Sequence, residues 1–140
     1  MGVPNRERID RALIVVRDGI RPGCEAAWRA KFGEDWLGEV HKGDDPNGVL
    51  PDLDDVAFYF KGMHNTWMTV FKRKLGDNVR NYVGELREFR NNWAHMQQCS
   101  SEDTYRMLDT AERLLLAFNA AEHVTQIQAM KRDHQIGRAH

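Results

Sequence analysis

The stretch VRNYVGELREFRNNWAHM, residues 79–96, decides how this 140-residue chain folds. Val79, Tyr82, Leu86, Phe89, Trp93 and Met96 recur at helical spacing, which lays one apolar seam along an α-helix. Strand-like alternation is absent here and elsewhere in the chain, so the expectation is an all-α fold.

Working outward, Gly76 and Asp77 separate this helix from a long one before it. Asp52 is expected to cap that helix, whose stripe is Leu53, Val56, Phe60, Trp67, Val70, Phe71 and Leu75. Gly62 inside it marks a kink or a close helix contact. Residues His41 to Pro51 (HKGDDPNGVLP) read as a loop, rich in Gly, Pro, Asn and Asp. Further upstream, Ile9, Leu13, Val16 and Ile20 predict a first helix from about Asn5 to Gly19. A second helix is expected to begin near Pro22 and carry Ala26, Ala27, Trp28 and Phe32. Gly33 and Gly38 then bracket a short aromatic turn with Trp36.

Downstream, Ser100 with Asp103, or Ser101 with the acids after it, offers an N-cap for a helix burying Tyr105, Leu108, Ala111, Leu115 and Phe118. A last short helix is expected over Ala121 to Met130. Lys131 to His140 reads as a polar tail that frays, so the domain is placed at residues 1–130. Short links between long amphipathic helices favour an up-and-down bundle of five to six helices.

Composition bounds the rest. The chain is 41% hydrophobic and 29% charged, which is ordinary for a globular protein and long enough for a core. Its 20 basic and 21 acidic residues nearly cancel, so nucleic-acid binding would need a local basic surface rather than a global field. Cys24 and Cys99 are far apart and read as reduced thiols. No apolar run reaches the ~20 residues of a membrane span, and the N-terminus lacks a signal-peptide core. Gly2 is followed by Arg6 where a myristoylation motif has Ser or Thr. The expected location is the cytoplasm, with no membrane partner.

The end of the 79–96 helix carries the candidate chemistry. Leu86, Phe89 and Trp93 point inward, Arg90 sits at one edge of the seam, and Ala94, Arg87, Asn91 and His95 follow around an outward arc of roughly 140°. Arg87 and Asn91, like Asn91 and His95, are i,i+4 neighbours. Guanidinium groups match phosphate oxygens bidentately, and imidazole exchanges a proton near neutral pH. Together they could cleave RNA without a metal: His95 handles the 2′-hydroxyl or leaving-group proton, and Arg90 stabilises charge growing on phosphorus. Arg90 and His95 point apart by the same ~140°, so either the helix loosens after Trp93 or a second copy completes the site. From spacing alone, such an arc is ordinarily solvated surface.

The run Arg90-Asn91-Asn92-Trp93-Ala94-His95 resembles the motif of the HEPN superfamily: arginine, a polar residue, then histidine four to six positions on. The segments NTWMTVF (65–71), ELREFRNNWAH (85–95) and SSEDTYRMLDTAERLL (100–115) are similar in order to its Swt-type branch, found at one end of large bacterial ATPases linked to phage defence. This resemblance implies an all-helical homodimer, paired through the motif-bearing helices, with arginines and histidines of two protomers in one cleft. It also implies a metal-independent endoribonuclease leaving a 2′,3′-cyclic phosphate and a 5′-hydroxyl. Arg90, Asn91 and His95 match the motif as catalytic candidates. Arg87, which lies outside the motif, and Asn92 are added as substrate-binding candidates. RNA is the expected partner, no cofactor is expected, and a larger ATPase region in the native chain is a further expected partner. The alternative is a non-catalytic HEPN module for dimerisation or RNA binding attached to such an ATPase.

Other residues read more plainly. His64 falls beside the stripe of its helix and is taken as a core histidine. His41, His123, His134 and His140 have no partner at ligand spacing, so no metal site is expected. Trp28, Trp36, Trp67 and Trp93 are taken as core anchors. Asp52, Asp54 and Asp55 are assigned to helix capping and the macrodipole. Lys72, Arg73 and Lys74 end a helix where cations are favoured, and would supply phosphate contacts if they flank the cleft. Residues 43–48 lack the GK[ST] of a nucleotide-binding loop.

Overall fold

In the structure, a computed structural model, residues 4–41, 50–93, 95 and 99–139 are described. The first helix, α1, runs unbroken from Asn5 to Phe32, with Pro22 inside it. The expected break at Gly19 to Pro22 does not occur. Pro22 costs the helix the hydrogen bond to its i−4 carbonyl. On both sides of it, however, Val16, Ile20, Cys24, Ala27 and Trp28 belong to one buried stripe, and splitting the helix would expose half of that stripe.

A 3₁₀ turn at Gly33–Asp35 leads into α2, Trp36–His41. Next comes α3, Val56–Asn65, followed by a π-helical turn at Trp67–Phe71 and α4, Lys72–Leu75. The single long helix expected over this region is therefore divided. Gly76, at φ +82°, lets the chain turn sharply into α5, Asp77–Trp93. The last two helices are α6, Ser101–Ala117, and α7, Ala121–Ala139. Ser100 caps α6 by accepting the Asp103 N–H at its Oγ, 3.0 Å. Within the loop read at 41–51, residues 42–49 lie outside the described residues, as do Ala94 and Met96.

Helix α1 lies centrally, against α3, α6 and α7, while α5 packs on α3 and α6. Trp28 is the aromatic hub: it stacks with Trp36 at 5.7 Å and Tyr59 at 6.2 Å, and meets Phe58 and Phe71 edge-on. Its Nε1 donates to Thr66 Oγ1 at 2.9 Å. Gly62 is the close contact that seats α3 here, since a Cβ would come within 2.8 Å of Trp28 and Val40. All four tryptophans are buried. His64, expected in the core, is exposed instead, because the apolar face of α3 falls on Tyr59, Phe60 and Met63. Cys24 and Cys99 are separate buried thiols, and burial pushes both above the usual thiol range.

The tail expected to fray from Lys131 is helical through Ala139. Polar contacts hold it. His134 is buried, with Nε2 2.9 Å from the Ser101 carbonyl oxygen and Nδ1 3.2 Å from Arg8 Nη1. A carbonyl can only accept and a guanidinium can only donate, so these contacts use Nε2 as the donor and Nδ1 as the acceptor. Lys131 bridges Asp109 and Glu112 of α6 at 3.0 and 2.8 Å. Among the described residues, no helix is long and apolar enough to cross a membrane.

Candidate active site

The last turns of α5 are anchored from inside. Leu86 and Trp93 are buried, and Phe89 stacks on Trp93 with ring centroids 6.1 Å apart. Trp93 Nε1 donates to Asp10 Oδ1 of α1 at 2.9 Å, and the Arg6 guanidinium sits 5.1 Å from the Trp93 ring centre. The side chain at the middle of the motif thus ties α5 to the start of α1.

Arg90 is tied in a second direction. Its Nη2 donates to Asp55 Oδ2 at 2.7 Å, with both side chains about one-third exposed. Asp55 is the N-cap of α3 and accepts the Ala57 N–H at Oδ1, 2.9 Å. Asp52, the expected cap, instead accepts the Asp54 N–H in the turn before the helix. The expected cap is therefore displaced by three residues. The turn of residues 52–55 precedes the first helical residue, Val56, and only Asp55 is adjacent to it.

These contacts surround an open recess of about 420 Å³ between α1, the start of α3 and the end of α5. Asp10, Asp52, Asp54 and Asp55 line it together with Arg6, Arg17 and Arg90, over a floor that includes Trp93. Arg17 is engaged with the Asp54 carbonyl at 2.8 Å and with Asp18 at 2.9 Å. Four carboxylates against three guanidiniums give the recess no excess of positive charge.

Of the candidate site residues Arg87, Arg90, Asn91, Asn92 and His95, only Arg90 lines this recess. Asn91 and Asn92 are exposed, and Arg87 is half-buried on α5. Helix α5 ends at Trp93, and His95 lies exposed in a turn where its backbone N–H donates to the Asn92 carbonyl at 3.0 Å. The chain therefore leaves helical geometry between Arg90 and His95, so the ~140° separation of an ideal helix does not hold for this pair. Lys72, Arg73 and Lys74 are exposed on α4, beyond the start of α5. The motif closes the far end of that 17-residue helix, roughly 25 Å away, so the three cations do not flank the recess of their own chain. Among the described residues, no three His, Cys, Asp or Glu side chains are grouped to hold a metal.

No sequence pattern points to Asp10, Arg6 or Arg17, and the run of acids marks Asp55 only for helix capping and the macrodipole. Asp10 meets Trp93 across 83 residues and Asp55 meets Arg90 across 35, and no local spacing announces such pairs.

Compared with known proteins, residues 11–119 match the sequence model of a family described as Swt1-like HEPN. The match takes in Arg17, Asp55 and the whole 90–95 segment, and it leaves Arg6, Asp10 and all of α7 outside. No curated protein and no solved structure gives a match.

Proposed function

The chain belongs to the Swt1-like HEPN family, and from that premise we propose that it is a metal-independent endoribonuclease domain acting as a pair of copies. The observation that carries this reading is the 90–95 segment at the end of α5: a guanidinium at a recess edge, the helix ending, and an exposed imidazole two residues further on. An exposed His95 can meet RNA or a second copy, and Arg90 keeps N–H donors for phosphate after serving Asp55.

In the proposed reaction, one His95 takes the proton of a ribose 2′-hydroxyl and the 2′-oxygen attacks the adjacent phosphorus. Arg90 stabilises the charge that grows on the phosphoryl oxygens. The bond to the 5′-oxygen breaks, and His95 of the second copy protonates that leaving group. The products are a 2′,3′-cyclic phosphate and a 5′-hydroxyl, with no net gain or loss of atoms. Asn91, exposed next to Arg90, orients one of the Arg90 and His95 side chains, and Arg87 and Asn92 hold the RNA.

The test is cleavage of end-labelled RNA in EDTA by wild type, Arg90→Ala and His95→Ala. Each substitution is expected to lower the rate by about 100-fold or more. Equal cleavage by all three proteins would end the catalytic assignment.

The acidic balance of the recess favours a second reading, a non-catalytic HEPN module that dimerises or docks a larger ATPase. That reading expects no cleavage under any condition, with His95→Ala shifting the monomer–dimer balance in sedimentation.

A further inference from the structure

The Asp55 carboxylate does two things at once, one with each oxygen. Oδ1 accepts the Ala57 N–H and starts α3, while Oδ2 accepts Arg90 Nη2 at 2.7 Å. The carboxylate is held by its own frame. Asp55 N–H donates to the Asp52 carbonyl at 3.1 Å, Tyr59 Oη donates to the Leu53 carbonyl at 2.8 Å, and the next residue, Val56, is buried. Arg90, by contrast, has a long flexible stem and sits one turn from the end of its helix. A fixed acceptor therefore meets a mobile donor.

An ion pair this exposed contributes little to stability. What it determines is where the guanidinium lies. The contact uses one of the five N–H donors of Arg90, so the remaining edge is available to a second oxyanion in the recess that both residues line. A bidentate contact would occupy paired donors of the fork, whereas this one engages Nη2 alone.

We infer that Asp55 is the positioning residue for Arg90, holding its guanidinium toward the scissile phosphate from the start of α3. This rests on the endoribonuclease reading above. Nothing in the spacing of the 90–95 segment reaches Asp55, which is 35 residues upstream on another helix.

The two oxygens can be separated by one substitution. Asp55→Asn keeps an amide oxygen for the Ala57 N–H but turns an N–H₂ group toward Arg90, so the cap survives and the bridge does not. The expected result is a kcat for RNA cleavage lowered by about 10- to 100-fold with little change in KM, at a thermal midpoint close to wild type. In an Arg90→Ala background the same substitution is expected to change the residual rate by less than about twofold, because a positioning residue has nothing left to position.

A rate unchanged or raised by Asp55→Asn, while Arg90→Ala abolishes cleavage, overturns the assignment and leaves the ribonuclease reading standing. So does an equal loss in both backgrounds. A wild type that does not cleave, or an Arg90→Ala protein as active as wild type, overturns the reading and the assignment together. A measurement on wild type alone guards against misfolding of the variant. Nitrogen-15 spectra of the arginine side chains are expected to show restricted Cζ–Nη rotation at Arg90 and free rotation at exposed Arg80. Free rotation at Arg90 would also overturn the assignment.

Discussion

At the end of α5, Asp55 and Asp10 hold Arg90 and Trp93 beside an open recess; at the α7 junction, Lys131 and His134 tie α7 to α6 and to Arg8 of α1. Both junctions are polar and both join helices distant in sequence. In the second, every strong group is used: Lys131 reaches two carboxylates and lies 5.2 Å from the Tyr105 ring centre, and His134 spends both ring nitrogens. In the first, Arg90 gives one contact to Asp55 and remains about one-third exposed. A saturated junction stabilises the fold. A partly used one can also meet a ligand, and the two should therefore respond oppositely to mutation.

The largest expected effect tests that opposition directly. Arg90→Ala and His95→Ala should each cost about 100-fold or more in RNA cleavage while moving the thermal midpoint by no more than about 2 °C. His134→Ala should do the reverse, because it leaves the buried Arg8 without its imidazole acceptor. That loss is worth roughly 2 kcal/mol, or about 6–8 °C in thermal unfolding, with cleavage retained. Cleavage lost in His134→Ala at an unchanged midpoint would erase the distinction between the two junctions.

Gly62→Ala comes next. Its new Cβ would press on the Trp28 ring and Val40 at 2.8 Å and push α3, with Asp55 at its start, off its seat. The expected cost is about 1–3 kcal/mol in chemical denaturation, accompanied by slower cleavage. Reduced stability with cleavage at the wild-type rate would mean that the seat of α3 does not govern the recess.

The smallest effect lies in the acid limb of stability. Burial pushes the Asp109 carboxyl up, but hydrogen bonds and charge from Lys131 and Arg113 outweigh it, and the net direction is down. The hydrogen bond from Lys131 leads in lowering the Glu112 carboxyl, with burial opposing it and Gln128 assisting. Carboxyls lowered in the folded state stabilise it above their unfolded values, about 3.9 for Asp and 4.3 for Glu, and lose that contribution as pH falls through the folded values. Thermal midpoints should therefore drop below about pH 4.5 in wild type. Lys131→Met, costing about 1 kcal/mol at neutral pH, should show a shallower drop. An acid limb of unchanged steepness in Lys131→Met would remove Lys131 from the account.

How much of this could be read beforehand depends on the range of each interaction. The α5 seam and the Ser100 cap are local patterns, and the helices they predict are present. The division of the long helix at Trp67–Phe71 and the continuity of α1 through Pro22 were not legible, because each depends on burial against other helices. The length of α7 beyond Met130 is not legible for a related reason. Beyond that point it is held by His134, which meets Arg8 across 126 residues and Ser101 across 33.

The sequence by itself determined that the chain is helical, which faces of α5 and α6 turn inward, and that the 90–95 segment closes a helix with arginine and histidine set five residues apart. Periodicity and capping act over a few residues, so they are written along the chain. Only the tertiary structure decided that Arg90 is held by Asp55, that Trp93 is held by Asp10, and that a recess opens between them. A single ion pair or hydrogen bond between distant residues has no period and leaves no pattern in sequence. It exists only once packing has brought its two ends within about 3 Å.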